Sequence, residues 1–477
     1  MSLLVHTQRA NGWERVKVGK ALRLVNGRAF KPTEWKAGGL PIIRIQNLNN
    51  SDAPFNYYDG ELPEKFLVSD GDLLFAWSGT PGTSFGAHIW RGGKAWLNQH
   101  IFKVLFDETE FDKRFLQLAI NENLDEYIRA AHGAAGLAHI TKGRFEESEL
   151  PKPGLQEQRA MVAEVEKQFT RLEAGVAGLR RVEANLKRYR AAVLKAACEG
   201  KLVPTEAELA RQEGRSFESG AQLLDRILTE RRQKWSGKGK YKEPAKPDTT
   251  NLPELPTGWT WARLDAVASL KGGITVDKNR KLSNARSVPY LRVANVQRGY
   301  LDLSEIKEIE ALEDDIAELR LLSGDILFTE GGDRDKLGRG WIWQGQISDC
   351  IHQNHVFRAR LYSEGIEPKF VSWWGNSFGQ THFLREGKQT TNLASINLSK
   401  LSQFPIPFPP TPEQQRIVAD VERRLSVVEE LEAVVNANLQ RATRLRQAIL
   451  YHAFTGQLTS QVSLVTGVPS QTSIGVR

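Results

Sequence analysis

The sequence predicts an α+β (mixed α/β) chain: two similar globular domains separated by two long helices, the helices pairing as an antiparallel coiled coil within a pseudo-twofold internal repeat. Three observations carry this prediction. A chain of 477 residues is too long for one ordinary hydrophobic core, so two domains or more are expected. The chain also repeats itself in order, block by block. Finally, the most regular part of each repeat has the apolar spacing of a long helix rather than of a strand.

The repeat is read from short motifs. Gly12-Trp13 returns as Gly258-Trp259, and Pro41 to Asn47 (PIIRIQN) returns as Pro289 to Asn295 (PYLRVAN). Asp70 to Phe75 (DGDLLF) matches Ser323 to Phe328 (SGDILF), and Asn98 to Lys103 (NQHIFK) matches Gln353 to Arg358 (QNHVFR). The offset drifts from 246 to 255, as loops of unequal length would make it do, and then locks at 256 from Glu157-Gln158 to Lys201-Leu202.

The elements follow in order. Residues 1–153 form a first globular domain, with strand-like runs at Leu40–Gln46, Asp72–Trp77 and His100–Phe106 between Gly-rich turns. A helix over 154–203 follows the stop Pro151-Lys-Pro153 and closes at Gly200. Its apolar residues Val165, Phe169, Leu172, Val176, Leu179, Leu186 and Val193 recur at helical intervals. Gly175 and Gly178 inside it cost roughly 1 kcal/mol each relative to Ala, or mark a close helix approach. Residues 204–250 hold a short helix with a capping box from Thr205 to Glu208, a second amphipathic helix over Ala221–Lys234 and a basic linker. A second globular domain spans 251–408, with strand-like runs at Val288–Val293, Asp325–Phe328 and Val356–Leu361. A second long helix spans 409–460, after a proline-rich stop from Pro405 to Pro412. Its periodic positions are Val421, Leu425, Val428, Leu431, Val435, Leu439, Leu445 and Ile449; residues 461–477 are a tail. About 45 residues of helix make a rod of roughly 65–70 Å at 1.5 Å per residue.

Composition narrows the function. With 40% hydrophobic and 26% charged residues the chain reads as globular and soluble, and no run approaches the roughly 18 apolar residues of a membrane span. Met1–Arg15 shows no basic-then-apolar leader, and Cys198 and Cys350 are too few for a disulfide framework or a four-ligand zinc site; a reducing cytoplasm fits. The net charge of +8 hints at nucleic acid. It is concentrated, however, in residues 156–250, with 20 basic and 14 acidic side chains, and above all in Arg231–Thr250, with seven and two. That marks a solvated connecting segment and leaves the globular blocks nearly neutral.

Catalytic constellations are not found. No Gly-Lys pair precedes Ser or Thr, so there is no Walker A loop. No Asn-Pro-Pro or Asp-Pro-Pro tripeptide offers an amino-methyltransferase pocket, and His/Cys metal clusters are missing. Glu367-Pro-Lys369 lacks the upstream acid of a nuclease motif. His100 and His355, at equivalent places, are expected to serve structure, as are the turn-forming Asp72 and Asp325 and the packing Trp259 and Trp261. Two unequal domains on a rigid spacer suit a ruler for duplex DNA, whose repeat is about 34 Å per turn.

The order and duplication of these motifs resemble the specificity subunit of Type I restriction-modification systems. The resemblance rests on Asn26 to Leu48, Gly71 to Phe75, the helix starts at Glu157-Gln158 and Glu413-Gln-Gln415, the stretch Gly200 to Leu209, and Arg444 to Leu458, covering nearly the whole chain. It implies two target recognition domains, each reading one half of a bipartite asymmetric DNA site, and no catalytic site on this chain. It also implies partners: double-stranded DNA, two adenine-N6 methyltransferase (modification) subunits and two restriction (motor and endonuclease) subunits, with no membrane. S-adenosylmethionine, ATP and Mg²⁺ would sit on those partners, and this subunit would bind no cofactor or metal.

Candidate DNA-binding residues are polar groups in or beside expected loops: Arg28, Lys31, Arg44, Asn47, Ser78, Thr80, Asn98 and Lys142 in the first domain, and Lys278, Arg292, Asn295, Arg334, Lys336 and Thr391 in the second. Arg or Lys would pair with guanine and Asn with adenine, each good bidentate pair discriminating by roughly 1–3 kcal/mol. For Arg44 and Arg292 a structural salt bridge within the repeat is an equal reading. Two other functions compete: an enzyme with a cryptic nuclease or methyltransferase site, and a coiled-coil adaptor that binds proteins without reading DNA.

Overall fold

The computed structural model describes residues 12–458 apart from 51, 80–83, 125–126, 129–137, 238, 277–282, 334–336, 387 and 390–392. The fold is mixed α/β, and the chain divides into two compact units: residues 1–181 with 435–477, and residues 182–434. Two continuous helices, Leu155–Cys198 and Thr411–Phe454, each contribute to both.

The first unit holds two four-stranded sheets. One is antiparallel, in the order Leu22–Asn26, Ile101–Phe106, Leu73–Ala76, Gly86–Ile89; the other runs Asn56–Tyr58, Leu40–Ile43, Ala95–Leu97, Leu67–Val68, its central pair parallel. Strand Leu73–Ala76 is buried on both faces, which is why it reads as an unbroken apolar run. Leu73 and Phe75 enter the main core, where Phe75 stacks on Phe145 at 4.1 Å, while Leu74 and Ala76 enter a second core with Ile43 and Leu97. The expected strand over Leu40–Gln46 stops at Ile43, and Ile45–Asn49 turns into a short helix instead.

The second unit repeats this plan. An antiparallel sheet orders Ala268–Lys271, Val356–Leu361, Ile326–Thr329 and Gly340–Ile342, and Arg286–Leu291 pairs in parallel with Ile351–His352. Ile326 and Phe328 face one core and Leu327 another. The helices Glu206–Glu213 and Gly220–Gln233 follow the expected capping box at Thr205 and a second one at Ser219. Both belong to this unit, and Leu223 and Ile227 of the second are buried in its core.

The proline-rich stops before the long helices are strands. Glu149–Lys152 pairs with Glu14–Lys17, and Pro405–Phe408 pairs with Thr260–Arg263. Pro405 and Pro407 lie two apart, so both ring nitrogens face away from the partner strand and the ladder loses no donor. Pro405 offers its carbonyl to the Trp374 indole at 2.7 Å on that side.

The Glu-Gln pair at each helix start ties these pieces together. Glu157 accepts from the Trp13 indole at 3.0 Å, and Glu413 from Trp259 at 2.8 Å. Gln158, fully buried, accepts from Asp112 N at 2.8 Å and donates to Glu110 O and Pro153 O; Gln414 accepts from Glu367 N at 2.9 Å and donates to Pro409 O. Each pair thus clamps the domain's first strand and a neighbouring helix start onto the first turn of a long helix.

The long helices pack side by side within each unit. In the first, Val165, Phe169 and Leu172 meet Ile449, Ala453 and Phe454, and Arg446 lies 4.2 Å over the Phe169 ring while reaching Glu173 at 3.1 Å. In the second, Val193 and Ala197 meet Ile417, Val418, Val421 and Leu425, and Arg190 pairs with Glu432 at 3.3 Å and Glu429 at 3.6 Å. Leu186, Val428, Val435 and Ile449 are buried, and Val176, Leu179 and Leu439 are half-buried. Two periodic positions depart from expectation: Leu431 and Leu445 are exposed, and Ala442 is buried instead. Gly175 and Gly178 lie in unbroken helix, and a Cβ at either would meet nothing within 4 Å, so they do not mark a close helix approach.

Candidate nucleic-acid interface

In the first unit the expected residues gather around the junctions between strands. Arg28 forms a parallel bridge with Asn98, whose N–H donates to Ile43 O at 3.3 Å, next to Arg44. The Arg28 guanidinium is already engaged: it pairs with Glu34 and lies 4.8 Å and 5.1 Å from the rings of Phe30 and Tyr58. Glu34 in turn accepts from Lys31 N at 2.7 Å; that backbone bond, then Arg28, holds its pKa below the ordinary value. The side chain of Lys31 is exposed. Arg44 lies 5.6 Å from the Trp35 ring, a cation–π contact rather than the salt bridge the sequence allowed.

Asn47 and Asn295 require a correction. Both are buried, with Oδ1 accepting from the main-chain N–H of Arg44 (3.0 Å) and of Arg292 (2.9 Å). Their amide groups donate to carbonyls, Asn47 to Ala53 and Asn295 to Asp302 and Glu305. The expected pairing with adenine therefore has no free amide at either position; the repeated asparagine shapes a turn. Arg292 reaches Glu305 Oε1 at 3.3 Å and its carbonyl at 3.1 Å, which is the salt bridge within the repeat. Lys142 sits on a separate helix, donating to Leu24 O at 3.3 Å and facing Glu146 at 3.5 Å. Thr80, Lys278, Arg334, Lys336 and Thr391 lie outside the described residues.

Asp72 and Asp325 form turns as expected, accepting from Ser69 N at 2.8 Å and Leu322 N at 2.7 Å. The structure also collects residues that spacing alone did not single out. Ser78 pairs across a two-residue ribbon with His139, and the Trp77 ring contacts the imidazoles of His100 (5.3 Å) and His139 (4.6 Å). Burial first, then the charges of His139 and Arg44, push the His100 pKa down. Only pairing over long sequence distances brings these groups together, so nothing local in the sequence announces them.

A cleft of about 640 Å³ in the second unit is lined by Glu206, Arg215, Glu218 and Arg226, which pair among themselves (Arg215–Glu206 2.6 Å, Arg226–Glu218 2.8 Å). Cys198 and Cys350 are buried, and burial pushes both thiols up to about 12, far from a reactive thiolate. Among the described residues there is no group of three or more His, Cys, Asp or Glu able to hold a metal ion, and no helix long and apolar enough to cross a membrane.

The family model described as "Type I restriction modification DNA specificity domain" matches residues 10–175 and 256–439, once in each repeat. The chain belongs to this family. It is 26% identical to the Type I restriction enzyme EcoBI specificity subunit of Escherichia coli over 454 residues, covering 94% of this chain and 87% of that protein. It is 23% identical to the EcoKI specificity subunit of Escherichia coli strain K12 over 469 residues, covering 94% and 90%. A solved chain from work on complex assembly and conformational transition of the type I R-M system superposes with a TM-score of 0.60 at 19% identity, over 93% of this chain and 97% of that one, a likeness of fold. Each match to the specificity-domain model opens just before a Gly-Trp pair and runs into a long helix, so it includes the Trp–Glu clamp.

Proposed function

We propose that this Type I specificity chain reads a bipartite, asymmetric site on double-stranded DNA. Each recognition domain takes one half-site, and the paired long helices set the unread spacer. It would direct two adenine-N6 methyltransferase subunits and two restriction subunits, in the cytoplasm, without performing a reaction itself. S-adenosylmethionine, ATP and Mg²⁺ would be held by those partners.

The observation that carries this reading is a duplicated frame bearing different side chains. At matched places the first unit has Arg44 over Trp35 and the second has Arg292 paired with Glu305, on turns built by the same buried asparagine. One scaffold with two chemistries is what an asymmetric target needs. A surface for partners is also at hand. Val427, Leu431 and Val434 are 50%, 45% and 56% exposed at spacings of four and three on the second long helix, an apolar stripe suited to a partner's helix.

The nearly neutral recognition domains release few counterions, so the isolated chain is expected to bind DNA weakly at physiological salt and tightly only with the methyltransferase subunits. A nanomolar, sequence-specific complex of the isolated chain at about 150 mM salt would sink that part. The whole reading is tested by single-molecule sequencing of the host methylome with and without the gene. Loss of one bipartite adenine-methylated motif on deletion is the expected result. Survival of every motif, with the methyltransferase subunit shown to co-purify and to be active, would favour a protein-binding adaptor.

A further inference from the structure

The two recognition frames can be aligned through their main-chain hydrogen bonds. In the first unit Trp77 N donates to His100 O at 3.3 Å, and Trp77 O accepts from Ile140 N at 3.0 Å. In the second, Glu330 N donates to His355 O at 2.9 Å, and Glu330 O accepts from Ile396 N at 2.8 Å. Residues 77 and 330 therefore occupy the same place: each follows a buried core strand and is held between the histidine turn and the returning segment. Next to them, Ser78–Gly79 pairs with Ala138–His139, and Gly331–Asp333 pairs with Leu393–Ser395.

The side chains at this place are opposite in kind. The Trp77 indole packs against two imidazoles and stacks on Phe102 at 5.8 Å, offering no acceptor. Glu330 is a partly exposed carboxylate whose Oε2 is paired with Nδ1 of His355, itself about half exposed. The pairing occupies one oxygen and orients the carboxyl, with Oε1 as its second acceptor just past the strand end. A carboxylate oriented in this way favours an exocyclic amino group on the major-groove edge and repels the carbonyl oxygens of guanine and thymine.

We infer that Glu330, oriented by His355, is the side chain through which the second recognition domain selects a base with an exocyclic amino group on its major-groove edge, cytosine or adenine, in its half-site. This rests on the reading of the chain as a DNA specificity subunit. His355 is a positioning residue here, and the histidine shared by both frames serves a different neighbour in each.

The test expresses the full chain with its modification subunits in a host without adenine methylation and maps methylated motifs for wild type, Glu330→Gln, Glu330→Ala and His355→Gln. Glu330→Ala should leave one half of the motif intact and cut discrimination at one position of the other half about ten-fold or more, and the base preferred there by wild type distinguishes cytosine from adenine. Glu330→Gln, which keeps one acceptor oxygen, should retain part of the preference, and His355→Gln should blur it less than Glu330→Ala does. The inference is overturned if Glu330→Ala methylates the unchanged motif, or if both Glu330 variants lose all methylation while the complex stays assembled. A wild-type complex that methylates no bipartite motif takes down the functional reading itself, and this inference with it.

Discussion

Trp259 donates its indole N–H to Glu413 across 154 residues of chain at 2.8 Å, and Glu413 is fully buried with its second oxygen accepting from Glu206 N at 2.8 Å. Burial raises the Glu413 pKa, and the two donors offset part of that cost. The matching Glu157 is half-buried and has the Trp13 indole as its partner at 3.0 Å. Glu413→Gln turns an NH₂ toward one of two buried donors, so it should cost about 1–3 kcal/mol. Glu157→Gln keeps its one acceptor and should cost under about 1 kcal/mol. Urea unfolding of the full-length variants checks the asymmetry; equal losses would mean the buried carboxylate is not what secures the second unit.

Asn47→Ala and Asn295→Ala separate a structural role from a recognition role. Each removes a buried side chain that bonds main chain on both sides, so each should destabilise by about 1–2 kcal/mol. Residual methylation by the assembled complex should keep the wild-type motif. A changed base preference in a variant of unchanged stability would restore these residues as readers.

The long helices carry an inner and an outer apolar set with different roles. Val421 is fully buried, and Val421→Ala should cost about 2 kcal/mol in thermal unfolding. The exposed pair Leu431→Ser with Val434→Ser should change stability by less than about 0.5 kcal/mol. Pull-down of the modification subunit by the double variant should nevertheless fall several-fold. Full recovery would place the partner elsewhere.

His352 makes the second unit sensitive to acid. It is completely buried, its Nδ1–H donates to Val356 O at 2.6 Å, and burial pushes its pKa down to about 4. The unfolded chain takes up a proton near pH 6.5, which the folded chain refuses until about 4, so the contribution is present above about 6.5 and is lost as pH falls toward 4. The loss should reach up to about 3 kcal/mol. Leu97 occupies the matching place in the first unit, each residue being the last in a strand paired in parallel. His352→Leu should therefore fold and flatten the pH dependence of the urea midpoint between pH 7 and pH 4.5; an unchanged slope would assign acid sensitivity to other groups.

Much of the architecture was legible without coordinates. The repeat, both long helices, the capping box at Thr205 and the buried strands carrying Phe75 and Phe328 come from local patterns, because helical periodicity and unbroken apolar runs are properties of neighbouring residues. The proline strands before the helices were not legible. Proline is normally a stop, and only pairing with Thr260–Arg263 shows that Pro405 and Pro407 turn their nitrogens away from the ladder.

Of the candidate site, the sequence picked out turns that the fold repeats in both units and misjudged how several side chains in them are engaged. Repetition of Arg44-to-Asn47 as Arg292-to-Asn295 marks a position the fold needs, and a buried turn asparagine repeats as faithfully as a functional one. The sequence by itself determined that this chain is a duplicated pair of domains joined to long helices. Which side chains remain to meet a partner was decided only by the tertiary structure. Asn47 is consumed by its own main chain, and Glu330 is oriented by a histidine 25 residues away, because hydrogen-bond satisfaction depends on neighbours in space.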